Sequence, residues 1–112
     1  MFWVVFLAGG LFKVTQEFDI AAGIAKIIKS EILVETLGAK LIQGDTITPL
    51  DSRIRTATYI IKENENDVGC KISIWHNQDY SPPMLKIDVI ADGSIENKMY
   101  QTIISILGLN GN

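Results

Sequence analysis

The sequence has one cysteine, one histidine and three prolines in 112 residues, and no excess of basic side chains. The lone Cys70 excludes an intramolecular disulfide and any multi-cysteine zinc or iron–sulfur site, and the lone His76 excludes ligand sets that need two imidazoles. Ten Lys and Arg stand against thirteen Asp and Glu, for a net charge of −3. That is the wrong sign for a protein gripping phosphate backbones over a broad surface, so no nucleic acid is expected as a partner. No GxGxxG, GxxxxGK[ST] or GxSxG occurs; in the nearest phosphate-loop lookalike, GAKLIQGD from Gly38 to Asp45, the lysine is misplaced. No motif points to a cofactor or a metal. Repeats, low-complexity blocks and interdomain linkers are also missing, and a chain this short supports one core.

What is present begins with grease. From Met1 to Phe12 the chain reads MFWVVFLAGGLF, and Lys13 carries the first charge. Read as a helix, the run is apolar on every face and has to be covered by something. Twelve residues at about 1.5 Å each reach ~18 Å, short of the ~30 Å hydrocarbon core of a bilayer. No basic residue precedes the run, and Gly9-Gly10 leaves too short an apolar stretch for a cleavable signal. Aromatic residues crowd this end, which suits a membrane interface or a partner's groove. The expectation is an apolar anchor, residues 1–14, ahead of a single α+β domain, residues 15–112, that folds without it. Phe2, Trp3, Val5, Phe6, Leu7, Leu11 and Phe12 are its expected membrane- or partner-binding residues.

Beyond Lys13 the pattern turns amphipathic. Phe18, Ala21, Ala22, Ala25, Ile28 and Ile32 recur at three- and four-residue steps, predicting a helix with one buried stripe, either continuous or broken at Ser30, and ending at Gly38. Strand chemistry follows. Thr46 to Leu50 is a short edge candidate because of Pro49. Residues 53–62, Val68 to Trp75 and Leu85 to Val89 alternate, separated by a polar turn at residues 64–67, a proline loop at 77–83 and an Asp92-Gly93 turn. Past Gly93 the helical period returns: Ser94 is a potential cap, Ile95, Met99, Ile103 and Leu107 form a stripe, and Gly108 is the stop.

The residues that can carry chemistry are few. His76 has Asp79 and Asp88 near it in sequence, the raw material of a general base, but a single histidine at a strand end beside a turn reads first as solvated or singly hydrogen-bonded. Cys70 is in phase with Ile72 and Ile74, which reads as inert packing. Arg53 and Arg55 share a strand face and can hold a carboxylate or phosphate together, yet Glu63, Glu65 and Asp67 lie close enough in sequence to neutralise them.

One pattern resembles a known family. Lys29-Ser30-Glu31 is followed by Leu37-Gly38, three residues before Leu41-Ile42 and six before Gly44; an alternating strand around Ala57 and another ending in Leu85, Ile87 and Val89 come after. Over residues 20–91 this resembles the cytochrome oxidase complex assembly protein 1 family. The resemblance implies an N-terminal membrane segment, a helix ending in Leu-Gly and a small antiparallel sheet, a fold shared with the intermembrane-space domain of a mitochondrial translocase subunit. It carries no catalytic residues across. The family's usual Pro-Ile after Leu-Gly is replaced here by Ala39-Lys40-Leu41-Ile42, and the helix from Ser94 is additional.

The expected architecture is α+β: an N-terminal apolar and amphipathic helix, a three- to four-stranded antiparallel meander and a C-terminal helix. The expected role is non-enzymatic, without a cofactor: an assembly factor or accessory subunit that docks on subunits of a membrane complex, expected to be respiratory, and on the bilayer or its interface. The mitochondrial inner membrane or the bacterial cytoplasmic membrane is the expected location. Two alternatives remain open at this point. One is a soluble ligand-binding protein or enzyme with a pocket between helix and sheet and His76, Arg53 or Arg55 as its polar groups. The other is a soluble dimer that buries the N-terminal segment against its twin.

Overall fold

The computed structural model describes residues 5–14, 18–48, 51–63, 65–77, 79, 83–92 and 95–109. In chain order the elements are β1 (Val5–Lys13), α1 (Ile20–Lys29), α2 (Glu31–Leu37), β2 (Ala39–Thr48), β3 (Asp51–Glu63), β4 (Asn66–Asn77), β5 (Met84–Asp92) and α3 (Ile95–Leu107). One five-stranded sheet has the order β1-β5-β4-β3-β2, every neighbouring pair antiparallel. The fold class is α+β with a C-terminal helix. Two finer expectations are corrected. The described part of the apolar start, from Val5, forms a strand and not a helix, and the meander β2–β5 is joined by β1 to give five strands.

A strand resolves the problem that a helix posed for the apolar run. Its residues alternate between two faces, so only half of them need the core. Phe12, the last aromatic of the run, is buried beside Leu85, its partner on β5, while Leu11 is 58% exposed on the other face. The pairing of β1 with β5 runs unbroken from Val5↔Asp92 to Lys13↔Met84. Strand β2 begins at Ala39, seven residues before the expected Thr46, and its pairing with β3 is interrupted by three register shifts. Those irregularities erase the period-two pattern by which a strand is read from sequence.

The two helices after β1 are set by local chemistry. The Asp19 side chain caps α1, accepting hydrogen bonds from the backbone N–H groups of Ala21 and Ala22 at 3.0 and 3.2 Å. Ser30 ends α1 and caps α2, its hydroxyl accepting from Ile32 N–H at 3.3 Å, so the helix does break there. Gly38 stops α2 in the left-handed conformation at φ 63°, and Gly108 follows α3 at φ 69°. Around Gly38 a Cβ would meet nothing within 4 Å, so the preference for glycine there is one of backbone conformation alone. The buried stripe is displaced from the expected one. Gly23, Ile24, Ile27 and Leu33 face the core, Gly23 beneath the ring of Phe18, while Ala22 and Ile32 are exposed, because Ile24 and Ile27 bury more apolar area than the alanines and α2 takes its own rotation after the break.

The core lies between this helical layer and one sheet face. It comprises Leu85, Ile87, Val89 and Ala91 of β5, Cys70, Ile72 and Ile74 of β4, Ala57, Tyr59 and Ile61 of β3, and Ile95, Met99, Ile103, Ile104 and Ile106 of α3. Helix α1 packs over β2, β3 and β4, and α3 over β5 and β1. Ser94, expected as the α3 cap, and the tail beyond Leu109 lie outside the described residues, as do Pro49, Leu50, Gly93 and Pro82.

Candidate functional site

Among the described residues, His76 is the one buried side chain of the sheet's inner face that can carry a charge at neutral pH, 5% exposed. Strand alternation places it after Ile72 and Ile74, opposite Leu85 of β5, and the ring of Phe18 covers it at a centroid distance of 5.6 Å with a 56° tilt. Its Nε2 has no hydrogen-bond partner. Of the two expected readings, solvated or singly hydrogen-bonded, the solvated one is therefore corrected, and the cause is long range: the cover comes from the segment ahead of α1. Arg55 lies on the same inner face and is held by Asp45 of β2, with Nε donating to the carboxylate at 2.7 Å and a second bond from Nη2. The Asp45 hydrogen bond is the main reason that the guanidinium holds its proton more tightly than usual. Arg53 reaches Asp79 at 4.0 Å. Acidic partners thus come from β2 and from the turn after β4. The two arginines are engaged, and no proton donor or acceptor bonded to His76 Nε2 completes an acid–base pair.

A second polar group of the core sits at the other end of the same face. Tyr59 and Cys70 are cross-strand partners on β3 and β4, 3% and 1% exposed, and Glu96 in the first turn of α3 is close enough to disfavour a thiolate. Burial pushes the Cys70 thiol up to about 12, with Glu96 adding to the effect. Burial likewise pushes the Tyr59 phenol up to about 12, and Cys70 adds to it. Among the described residues Tyr59 Oη and Glu96 Oε2 have no hydrogen-bond partner. Such a thiol is protonated at neutral pH and no nucleophile. Among the described residues no cluster of three or more His, Cys, Asp or Glu can hold a metal ion.

The residues expected to bind a membrane or partner are spread over β1. Phe2 and Trp3 lie outside the described residues; Val5, Phe6 and Leu7 belong to the strand's backbone, their side chains outside the description. Phe12 is taken up by the core and Leu11 is exposed. The backbone adds a further property. Val14 N–H donates to the Pro83 carbonyl at 3.0 Å, one pair beyond Lys13↔Met84. Bonded and unbonded pairs alternate along an antiparallel ladder, so Phe12, Gly10 and Ala8 are bonded to β5. Leu11, Gly9 and Lys13 then aim their N–H and C=O groups away from it. Among the described residues no strand covers that edge. The opposite edge, β2, is roughened by its register shifts.

The outer sheet face, which carries no helix among the described residues, has a distinct charge. Register places Lys13, Lys86, Lys71, Lys62 and Lys40 on it, one from each strand and all exposed, against Asp67 and Asp88, the latter paired with Lys86 at 3.5 Å. Leu11, Lys86, Trp75 and Ile54 form one row across four strands, and Ile90 is 40% exposed nearby. A chain of net charge −3 therefore has one basic, partly apolar face. Sequence reasoning missed it because charge was summed over the whole chain; the alternation Lys71-Ser73-Trp75 and Lys86-Asp88 was the available signal. Among the described residues no helix is long and apolar enough to cross a membrane. No family model, no curated protein and no solved structure matches the chain.

Proposed function

We propose that this chain is a non-enzymatic docking protein that lays the outer face of its sheet on an anionic membrane surface and there serves a membrane complex as an accessory subunit or assembly factor. The observation that carries the reading is the five-lysine face with Leu11, Trp75, Ile54 and Ile90 among the lysines. Basic side chains near an anionic leaflet contribute about 1 kcal/mol each, and apolar side chains beside them add burial at the headgroup level. A nucleic-acid reader of similar shape would need stacking rings, and Trp75 is the single aromatic at the outer-face positions among the described residues. The respiratory setting is supported by the sequence resemblance alone.

Vesicle sedimentation tests the reading. The full chain is expected to pellet with vesicles containing phosphatidylserine or cardiolipin and to stay in solution with phosphatidylcholine alone. Reversing Lys71 and Lys86 to Glu should weaken pelleting roughly tenfold or more, and raised salt should do the same. Equal pelleting with neutral vesicles, or indifference to both reversals, would sink the proposal.

A further inference from the structure

We propose that the free edge of β1 pairs antiparallel with the β1 edge of a second copy, about a two-fold axis through Leu11, joining two sheets into one of ten strands. The inference is independent of membrane docking. A continuous apolar edge strand with outward N–H and C=O groups is a template for another strand, and proteins usually blunt it with charge, proline or a bulge. Strand β1 has none of these between Val5 and Phe12, whereas β2 has its three register shifts.

The occupant is identified by charge complementarity. Asp88 is the cross-strand partner of Gly9; its Oδ2 lies 3.5 Å from Lys86 Nζ, while Oδ1 leans over that glycine so closely that a Cβ there would collide with it. The edge therefore shows an acidic group above a position without a side chain. Two positions past Leu11 on the same face stands Lys13, exposed and the only charged residue of the strand. With the axis at Leu11, Leu11 meets its own copy, and Lys13 of each chain falls opposite Gly9 of the other. Cα atoms in such a bonded pair are ~5.5 Å apart, and the ammonium comes beside the Asp88 carboxylate twice by symmetry. An axis at Gly10 would instead set Lys13 opposite Leu7, and an axis at Gly9 would bring the two Asp88 carboxylates toward each other.

The remaining geometry agrees with that axis. Leu11, Gly9 and Lys13 are the residues whose backbone groups point outward, so the same register supplies the new hydrogen bonds. Pairing residues of like parity keeps the helices of both copies on one side. Helix α3 lies over β5 and β1, with Tyr100 Oη over Gly10, one residue from the axis. Strands ~4.8 Å apart then set the two α3 helices two to three strand spacings, about 10–14 Å, from each other, side by side on one face. The helix-free faces of both copies become one continuous surface.

Sedimentation of the full chain across a concentration series tests this. The expected result is a monomer–dimer equilibrium whose dissociation constant rises roughly tenfold or more in Lys13→Glu and in Asp88→Lys, each of which brings like charges together twice. An equimolar mixture of those two variants restores both attractions and should dimerise again, which a folding defect in either chain would not allow; far-ultraviolet circular dichroism confirms that each is folded. Leu11→Pro removes an outward N–H without touching the β5 ladder and should also give monomers. A monomer at every concentration, dimers indifferent to both reversals, or two monomeric variants that stay apart when mixed would overturn the proposal.

Discussion

Tyr59 and Cys70 show how the interior of a small sheet controls protons. Both are neutral in the folded protein because burial penalises their ionised forms, and both are pushed up to about 12, against ordinary values of 10.0 and 9.0. Below pH 9 neither state of the chain has lost these protons, and their contribution to stability is present in full. As pH rises past 9 the unfolded chain ionises first while the folded one does not, so stability falls progressively toward pH 12. Urea midpoints measured between pH 8 and 11 should decline, and the decline should be shallower in Tyr59→Phe and in Cys70→Ala. At neutral pH, Tyr59→Phe also removes a hydroxyl with no partner and should leave stability unchanged or raised; a clear loss would mean that the hydroxyl is satisfied. The placement of Cys70 was legible in the sequence, because Ile72 and Ile74 share its phase. That of His76 was not, since alternation gives the face but cannot show that Phe18 lies over the end of it.

At the scale of elements, β1 is where sequence reasoning went furthest astray. An unbroken apolar run satisfies a helix buried all round and a strand equally well, and periodicity cannot choose between them. Composition can. Gly9-Gly10 costs a helix about 2 kcal/mol relative to alanines, and valines and aromatics favour a pleated strand. The α1 and α2 boundaries were legible because caps are local: Ser30 and Gly38 do what their side chain and its absence respectively predict. A strand seated in the sheet also reverses the consequence of deleting the apolar start. Removing residues 1–13 takes Phe12 from the core and bares β5, whose Leu85, Ile87 and Val89 are fully buried. The truncated chain should melt at a clearly lower temperature and aggregate at concentrations the full chain tolerates. A truncation as stable and soluble as the parent by calorimetry and light scattering would return the segment to the status of an independent anchor.

Over the whole molecule, β1 and β2 lie at opposite edges of the sheet although only α1 and α2 separate them in sequence. The connection has to cross the sheet, and it does so on the face where Ile24, Ile27 and Leu33 are buried; α3 then covers the β5–β1 side of that face. The chain order that stacks every helix on one side is also what leaves the lysine face bare and β1 at the rim. None of this long-range order is written in local periodicity, which names elements without assigning neighbours. Amide hydrogen exchange resolved by residue reads the arrangement directly. In dilute protein the N–H groups of Ala8, Gly10 and Phe12, bonded to β5, should exchange slowly, while those of Gly9 and Leu11 exchange nearly as fast as in an open chain. Raising the concentration should slow Gly9, Leu11 and Lys13 selectively as a second edge covers them, and leave the first set unchanged. Protection of all five amides at every dilution would mean that something other than a second copy already covers the rim, whereas uniformly fast exchange would mean that β1 does not pair with β5 at all.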